Sequence, residues 1–228
     1  MTILKQEDVT RNNKTELVFI IDRSGSMAGL ESDTIGGFNS LIEQQRQQPG
    51  EVFVSTVLFS SCSQVIHDRV ALDKVPVLNK GTYQVGGNTA LMDAVGDAIR
   101  HIRNVHKYAR PEDVPDRTLF VITTDGMENA SHRYSHAVVK RMIQHQQEEC
   151  GWEFLFLGAD IDAFAAAKNI GIRQGNAVRY RNPEDIRDSY AAVSRAVSHV
   201  RFDLEKSAML SENWKAELEE KVRRAEER

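Results

Sequence analysis

The chain has 228 residues and a formal net charge of −4, so it lacks the concentrated basic face that nucleic-acid binding calls for. Apolar residues make up 41% and charged residues 27%, the composition of an ordinary globular protein rather than a disordered one, and no stretch approaches the roughly 20 apolar residues needed to span a bilayer. The two cysteines, Cys62 and Cys150, match neither a Cys-x-x-Cys metal pair nor a disulfide framework and are expected as buried, inert thiols.

In chain order, residues 1–14 read as a flexible N-terminal segment with no apolar run of signal-peptide length, and the expected location is the cytoplasm. "LVFII" (17–21) is the first of four runs apolar enough to be strands buried on both faces. The others are "VFVSTVLF" (52–59), "TLFVITT" (118–124) and "WEFLFLG" (152–158). Between the first two, Ile35, Phe38, Leu41 and Ile42 form a helical stripe that Pro49-Gly50 ends. The segment "VLFSSCSQVIHDRVAL" runs from strand to strand through a Ser-rich turn, which predicts one antiparallel edge strand. Leu91, Val95, Ala98, Ile99 and Ile102 make a second helix; Val139, Met142 and Ile143 make a third. Asp162 is a candidate N-cap for "AFAAAKN", stopped by Gly171, and a last short strand is expected within "GNAVRY" (175–180). Asn182-Pro183 supplies a cap and a first-turn proline for a helix with Ile186, Tyr190, Val193, Val197 and Val200 on one stripe, expected to pack on the sheet. Past Asp203 charges dominate around a thin seam of Leu204, Trp214, Leu218 and Val222, which suits either a solvated terminal helix or one for docking or self-association.

Strands alternating with helices predict a three-layer, Rossmann-like, doubly wound α/β fold with a mainly parallel sheet. The expected organisation is an α/β domain over 15–182 and a C-terminal helical extension over 183–228.

In such a sheet, ligands bind outside the carboxyl ends of the strands at the topological switch point. Three loops fall there: "DRSGSM" after the first strand, "GGNTAL" before the second helix, and "TTDGMEN" after strand 118–124. They bring Asp22, Ser24, Ser26, Thr89 and Asp125 to one rim. Carboxylates and hydroxyls are hard oxygen donors, which suit Mg²⁺, Mn²⁺ or Ca²⁺ rather than copper or structural zinc. An ion held by neutral hydroxyls, with a carboxylate acting through water, keeps net positive charge and an exchangeable position, and so becomes an anion receptor. Gly25, Gly86 and Gly87 let the backbone wrap closely, and the helix opening after Gly87 has an N-terminus that favours negative charge.

On these residues the chain resembles the von Willebrand factor type A domain family, over about residues 15–180. "DRSGSM" is similar to that family's Asp-x-Ser-Gly-Ser loop, Thr89 falls where its lone threonine stands, and Asp125 in "TTDG" matches its second aspartate. The resemblance implies a complete metal-ion-dependent adhesion site. Ser24, Ser26 and Thr89 would be direct ligands, with Asp22 and Asp125 acting directly or through water. A partner protein would present an aspartate or glutamate to the metal. The short form resembles the bacterial, intracellular branch, and the expected activity is binding rather than catalysis.

A turn capped by its own side chains explains Asp22 and Ser24 taken alone, but not three loops together. A haloacid dehalogenase-like phosphatase with Asp22 as nucleophile is the main rival. It needs a second aspartate two residues on as general acid, and that position is Ser24. There is no Gly-x-Ser-x-Gly elbow and no phosphate-loop lysine near "GGNTAL". His132 and His136 lack a zinc protease's glutamate and are expected at the surface. Glu128 and Asn129 border the rim or cap a helix; Asp93 supports the ligands or complements a helix N-terminus. The third reading is a scaffold self-associating through its C-terminal helix.

Overall fold

The computed structural model describes residues 14–159, 163–180 and 183–202. Of the flexible segment expected over 1–14, residues 1–13 lie outside the described residues, as do the caps Asp162 and Asn182 and the terminal helix from Asp203, whereas Lys14 is not flexible but opens the first strand, its backbone N–H donating to Asp116 Oδ2.

Among the described residues six strands form one sheet: β1 (Lys14–Asp22), β2 (Glu51–Phe59), β3 (Ser63–Ala71), β4 (Arg117–Thr124), β5 (Glu153–Ala159) and β6 (Ala177–Tyr180). Their spatial order is β3-β2-β1-β4-β5-β6. All neighbours are parallel except the edge pair β2 and β3. The antiparallel pair follows from its connection: a turn of three residues can only reverse the chain, whereas a parallel neighbour needs a long crossover. Cys62 sits in that turn and Cys150 caps the helix before β5; both are exposed. The expectation of buried thiols fails because both stand in connections, which run over the surface.

Among the described residues five α-helices cover the sheet: α1 (Glu31–Arg46), α2 (Leu91–Tyr108), α3 (His136–Glu149), α4 (Ala163–Asn169) and α5 (Pro183–Phe202). Strand alternation sorts the core into two layers. Leu17, Phe19 and Ile21 of β1 pack with Phe38 and Leu41 of α1 and with Ile186, Tyr190 and Val193 of α5. Val18 and Ile20 face the other way, onto Val95 and Ile99 of α2, Val139 of α3 and Ala167 of α4. Residues 17–21 are wholly inaccessible to solvent, because β1 is covered on both faces and flanked on both edges. Each such side chain contributes about 1.5–3 kcal/mol of burial, so the strand that carries the first loop is a rigid support.

One buried charge breaks the apolar pattern at the opposite, amino end of the sheet. The Glu16 side chain is fully buried and accepts a 2.8 Å bond from Arg69 Nε. Arg69 lies on β3 beyond a register shift, with φ +49°, and the irregularity turns it from the edge onto Glu16.

Candidate metal centre

Strand parity builds the centre. Val18 and Ile20 on β1, and Phe120 and Ile122 on β4, face the α2 layer; Asp22 and Thr124 continue the two alternations. Because Ile21 pairs with Thr123, Asp22 and Thr124 emerge side by side at the carboxyl edge. Thr124 Oγ1 donates to Asp22 Oδ2 at 2.6 Å, and Ser24 N donates to Oδ1 at 2.7 Å. The fully buried carboxylate is thus engaged at both oxygens.

The loops close on one another from there. Ser24 Oγ lies 3.0 Å from Ser26 Oγ, and Ser26 Oγ donates to Asp125 Oδ1 at 2.7 Å. Gly25 N donates to the Gly87 carbonyl and Gly86 N to the Arg23 carbonyl, lacing the first loop to the one before α2. Thr89 is buried and is clamped to the β4–α3 loop, its N–H donating to Asn129 Oδ1 and its carbonyl accepting from Asn129 N. A Cβ on Gly126 would stand 2.9 Å from Thr89 Oγ1 and 3.0 Å from Ser26 Oγ. Both hydroxyls therefore border one small gap, which only glycine leaves open at that position.

The structure brings together all five residues singled out in the sequence. Among the described residues no group of three or more His, Cys, Asp and Glu side chains could hold a metal; the donors here are two carboxylates and three hydroxyls. Burial pushes the carboxyls of both aspartates up. For Asp22 the bonds from Thr124 and Ser24 oppose that rise and the neighbouring charge of Asp125 adds to it; for Asp125 the bond from Ser26 opposes it. Two under-compensated carboxylates beside three hydroxyl oxygens fit a hard divalent cation, whose charge would offset the cost of keeping them ionised.

The flanking acids have other work. Glu128 accepts from Met92 N at 2.9 Å and from Ala130 N, Ser131 N and Ser131 Oγ. It occupies the α2 N-terminus that the sequence reading left to an incoming anion, so that helix end is satisfied from within the chain. Asp93 takes N–H bonds from His132, Arg133 and Tyr134 and an ion pair from Arg133, folding this stretch back onto α2. His132 and His136 are exposed, and only His136 belongs to α3. Sequence reasoning missed two supports. One is Thr124, visible in retrospect from strand parity; the other is Tyr83, whose buried hydroxyl donates to the Asp22 carbonyl from a loop without periodicity.

No protein-family model matches the sequence, and no curated protein matches it. Solved structures do match. The von Willebrand factor domain of the type V pili tip protein Mfa5 from Porphyromonas gingivalis superposes with a TM-score of 0.61 at 10% identity, covering 84% of this chain and 97% of that one. A von Willebrand factor type A protein from Catenulispora acidiphila gives a TM-score of 0.55 at 14% identity, over 80% of this chain and 42% of its own. Proximal thread matrix protein 1 of the mussel byssus, solved with a zinc-occupied metal-ion-dependent adhesion site, gives 0.55 at 14% identity, over 80% and 45%. The chain thus spans less than half the length of the latter two. Sheet order, the antiparallel edge and these superpositions together establish a von Willebrand factor type A-like fold.

Proposed function

We propose that this protein is a divalent-cation-dependent protein-binding module in which a Mg²⁺ ion, or Mn²⁺ or Ca²⁺ in its place, bridges the sheet rim to an aspartate or glutamate of a partner. The observation that carries the reading is the convergence of Asp22, Ser24, Ser26, Thr89 and Asp125 from three loops, linked by the Ser24–Ser26–Asp125 and Thr124–Asp22 hydrogen bonds. Ser24, Ser26 and Thr89 would hold the ion directly. Asp22, with both oxygens engaged, would act through water, and Asp125 directly or through water. Neutral ligands leave the ion its positive charge, and an incoming carboxylate replaces a bound water. A thread matrix protein and a pilus tip protein among the structural neighbours support a role in protein interaction, and the zinc-occupied site in the former supports the use of a cation. The reading is non-catalytic, since Ser24 stands where a phosphatase needs its acid. Exposed free thiols at Cys62 and Cys150 suit a reducing compartment, in keeping with an intracellular module of the bacterial type.

The test is capture of partners with the full chain in Mg²⁺, in chelator, and with Thr89→Ala, alongside calorimetric titration of Mg²⁺. Recovery should fall at least about tenfold in the second and third arms, as loss of one ligand or of the ion implies. Equal recovery in all three would sink the reading.

A further inference from the structure

Beside the metal centre a groove of about 490 Å³ opens between the β4–α3 loop, the first turn of α2 and α4. Leu91, Met92, Phe156 and Ile170 form its floor, and the small side chains of Ala159 and Ala166 leave it wide. Met127 stands on its lip, 83% exposed. Asp125 belongs both to this groove and to the metal centre.

We propose that the groove receives an apolar side chain from the same short partner segment whose acidic side chain reaches the metal, with Met127 closing over it. The inference rests on the metal-bridging reading and names what that reading leaves open, the chemistry beside the acid. Three observations argue for it. The shared Asp125 makes the groove continuous with the centre, so one peptide spans both. The volume falls in the range of ligand pockets, roughly 300–1,000 Å³, and the floor is aliphatic and aromatic. An exposed methionine at such a lip is unbranched and adaptable, the kind of side chain that repacks over apolar partners. A lone carboxylate contact is generic, and the groove supplies selectivity.

The experiment presents the full-length chain with an immobilised library of short peptides that carry a fixed glutamate and randomised flanks, in Mg²⁺ and in chelator. The expected result is Mg²⁺-dependent retention, with Leu, Ile, Met or Phe enriched about tenfold over Lys or Glu at one fixed offset from the glutamate, as a single buried aliphatic anchor implies. Ala166→Phe, which fills the groove, and Met127→Ser, an exposed change that leaves the fold intact, should each reduce that enrichment while calorimetric Mg²⁺ affinity stays unchanged. Mg²⁺-dependent retention without an apolar preference, or with a preference for Lys, overturns the groove and leaves the metal reading standing. Retention equal in chelator, or no retention at all, removes both.

Discussion

Both oxygens of Asp22 are engaged by the chain itself, Oδ1 by Ser24 N and Oδ2 by Thr124 Oγ1 at 2.6 Å. A threonine hydroxyl here does two things: it satisfies a buried carboxylate oxygen, and it fixes the direction in which the carboxylate faces the rim. Thr124→Val keeps the shape and removes the donor. In chelator it should lower stability to urea by about 1–3 kcal/mol, the usual cost of a buried acceptor left unpaired. Mg²⁺ affinity by calorimetry should fall roughly 10–100-fold, as for other groups that orient a metal's ligands. An unchanged urea midpoint would mean that the Thr124–Asp22 bond holds nothing in place. The five rim residues were readable in the sequence because each follows a strand or precedes a helix in a recognisable loop. Thr124 was harder to see: its side chain is an ordinary strand threonine until β1 and β4 are set in register.

At the scale of the element, the first turn of α2 is capped from far along the chain. Glu128 bonds Met92 N and Ser131 Oγ accepts from Asp93 N, while Ala90 at the cap position makes no side-chain cap bond. Local capping patterns span about three residues, so a cap supplied by the β4–α3 loop has no local signature. That is why Glu128, Asn129 and Asp93 stood open between two roles in the sequence. Burial alone would push the Asp93 carboxyl up; the N–H groups of His132, Tyr134 and Arg133, with the Arg133 guanidinium, outweigh it and hold the carboxyl low. A carboxyl lower in the folded than in the unfolded chain stabilises fully above its ordinary value, about 3.9 for aspartate. That stabilisation disappears as pH falls through the depressed native value. Asp93→Asn should therefore cost about 1.5–3 kcal/mol near neutral pH, and thermal melts should show the gap to the parent closing in acid. A gap independent of pH would remove the charge from the account. At the far edge, Arg69→Ala leaves the buried Glu16 carboxylate with only the His106 ring, 3.6 Å away, beside it and should destabilise by about 3 kcal/mol in urea. Nothing in the sequence singles out Glu16, which stands just ahead of the run "LVFII", since the irregularity in β3 that delivers Arg69 has no sequence marker.

Across the whole molecule the two helices of one layer, α1 and α5, lock the first third of the chain to the last described helix. The stripe of Ile186, Tyr190, Val193, Val197 and Val200 legible in the sequence is the stripe that the structure buries, because a helical period survives whatever the partner surface. Its polar seam was not legible, since it joins residues about 150 positions apart and depends on how closely the helices approach. Gly37 permits that approach: a Cβ there would stand 2.5 Å from Tyr190 Cδ2. At the far end of the seam, buried Arg201 donates to the Gln45 carbonyl, to Gln45 Oε1 at 2.7 Å and to the Pro49 carbonyl at 2.6 Å. Gln45 Nε2 in turn reaches the Ser194 carbonyl and Ser198 Oγ. Arg201→Met keeps an aliphatic stem against α1 and strips the guanidinium, leaving the Pro49 carbonyl and Gln45 Oε1 without their donor. The expected loss is about 1–3 kcal/mol in urea unfolding, with an unchanged slope because the same surface is buried. Mg²⁺ affinity should not move: Gln45 and Pro49 lie next to the amino end of β2, across the sheet from the rim that carries Asp22. A fall in Mg²⁺ affinity in this variant would show that the α1–α5 seam sets the geometry of the proposed metal centre as well as the stability of the fold.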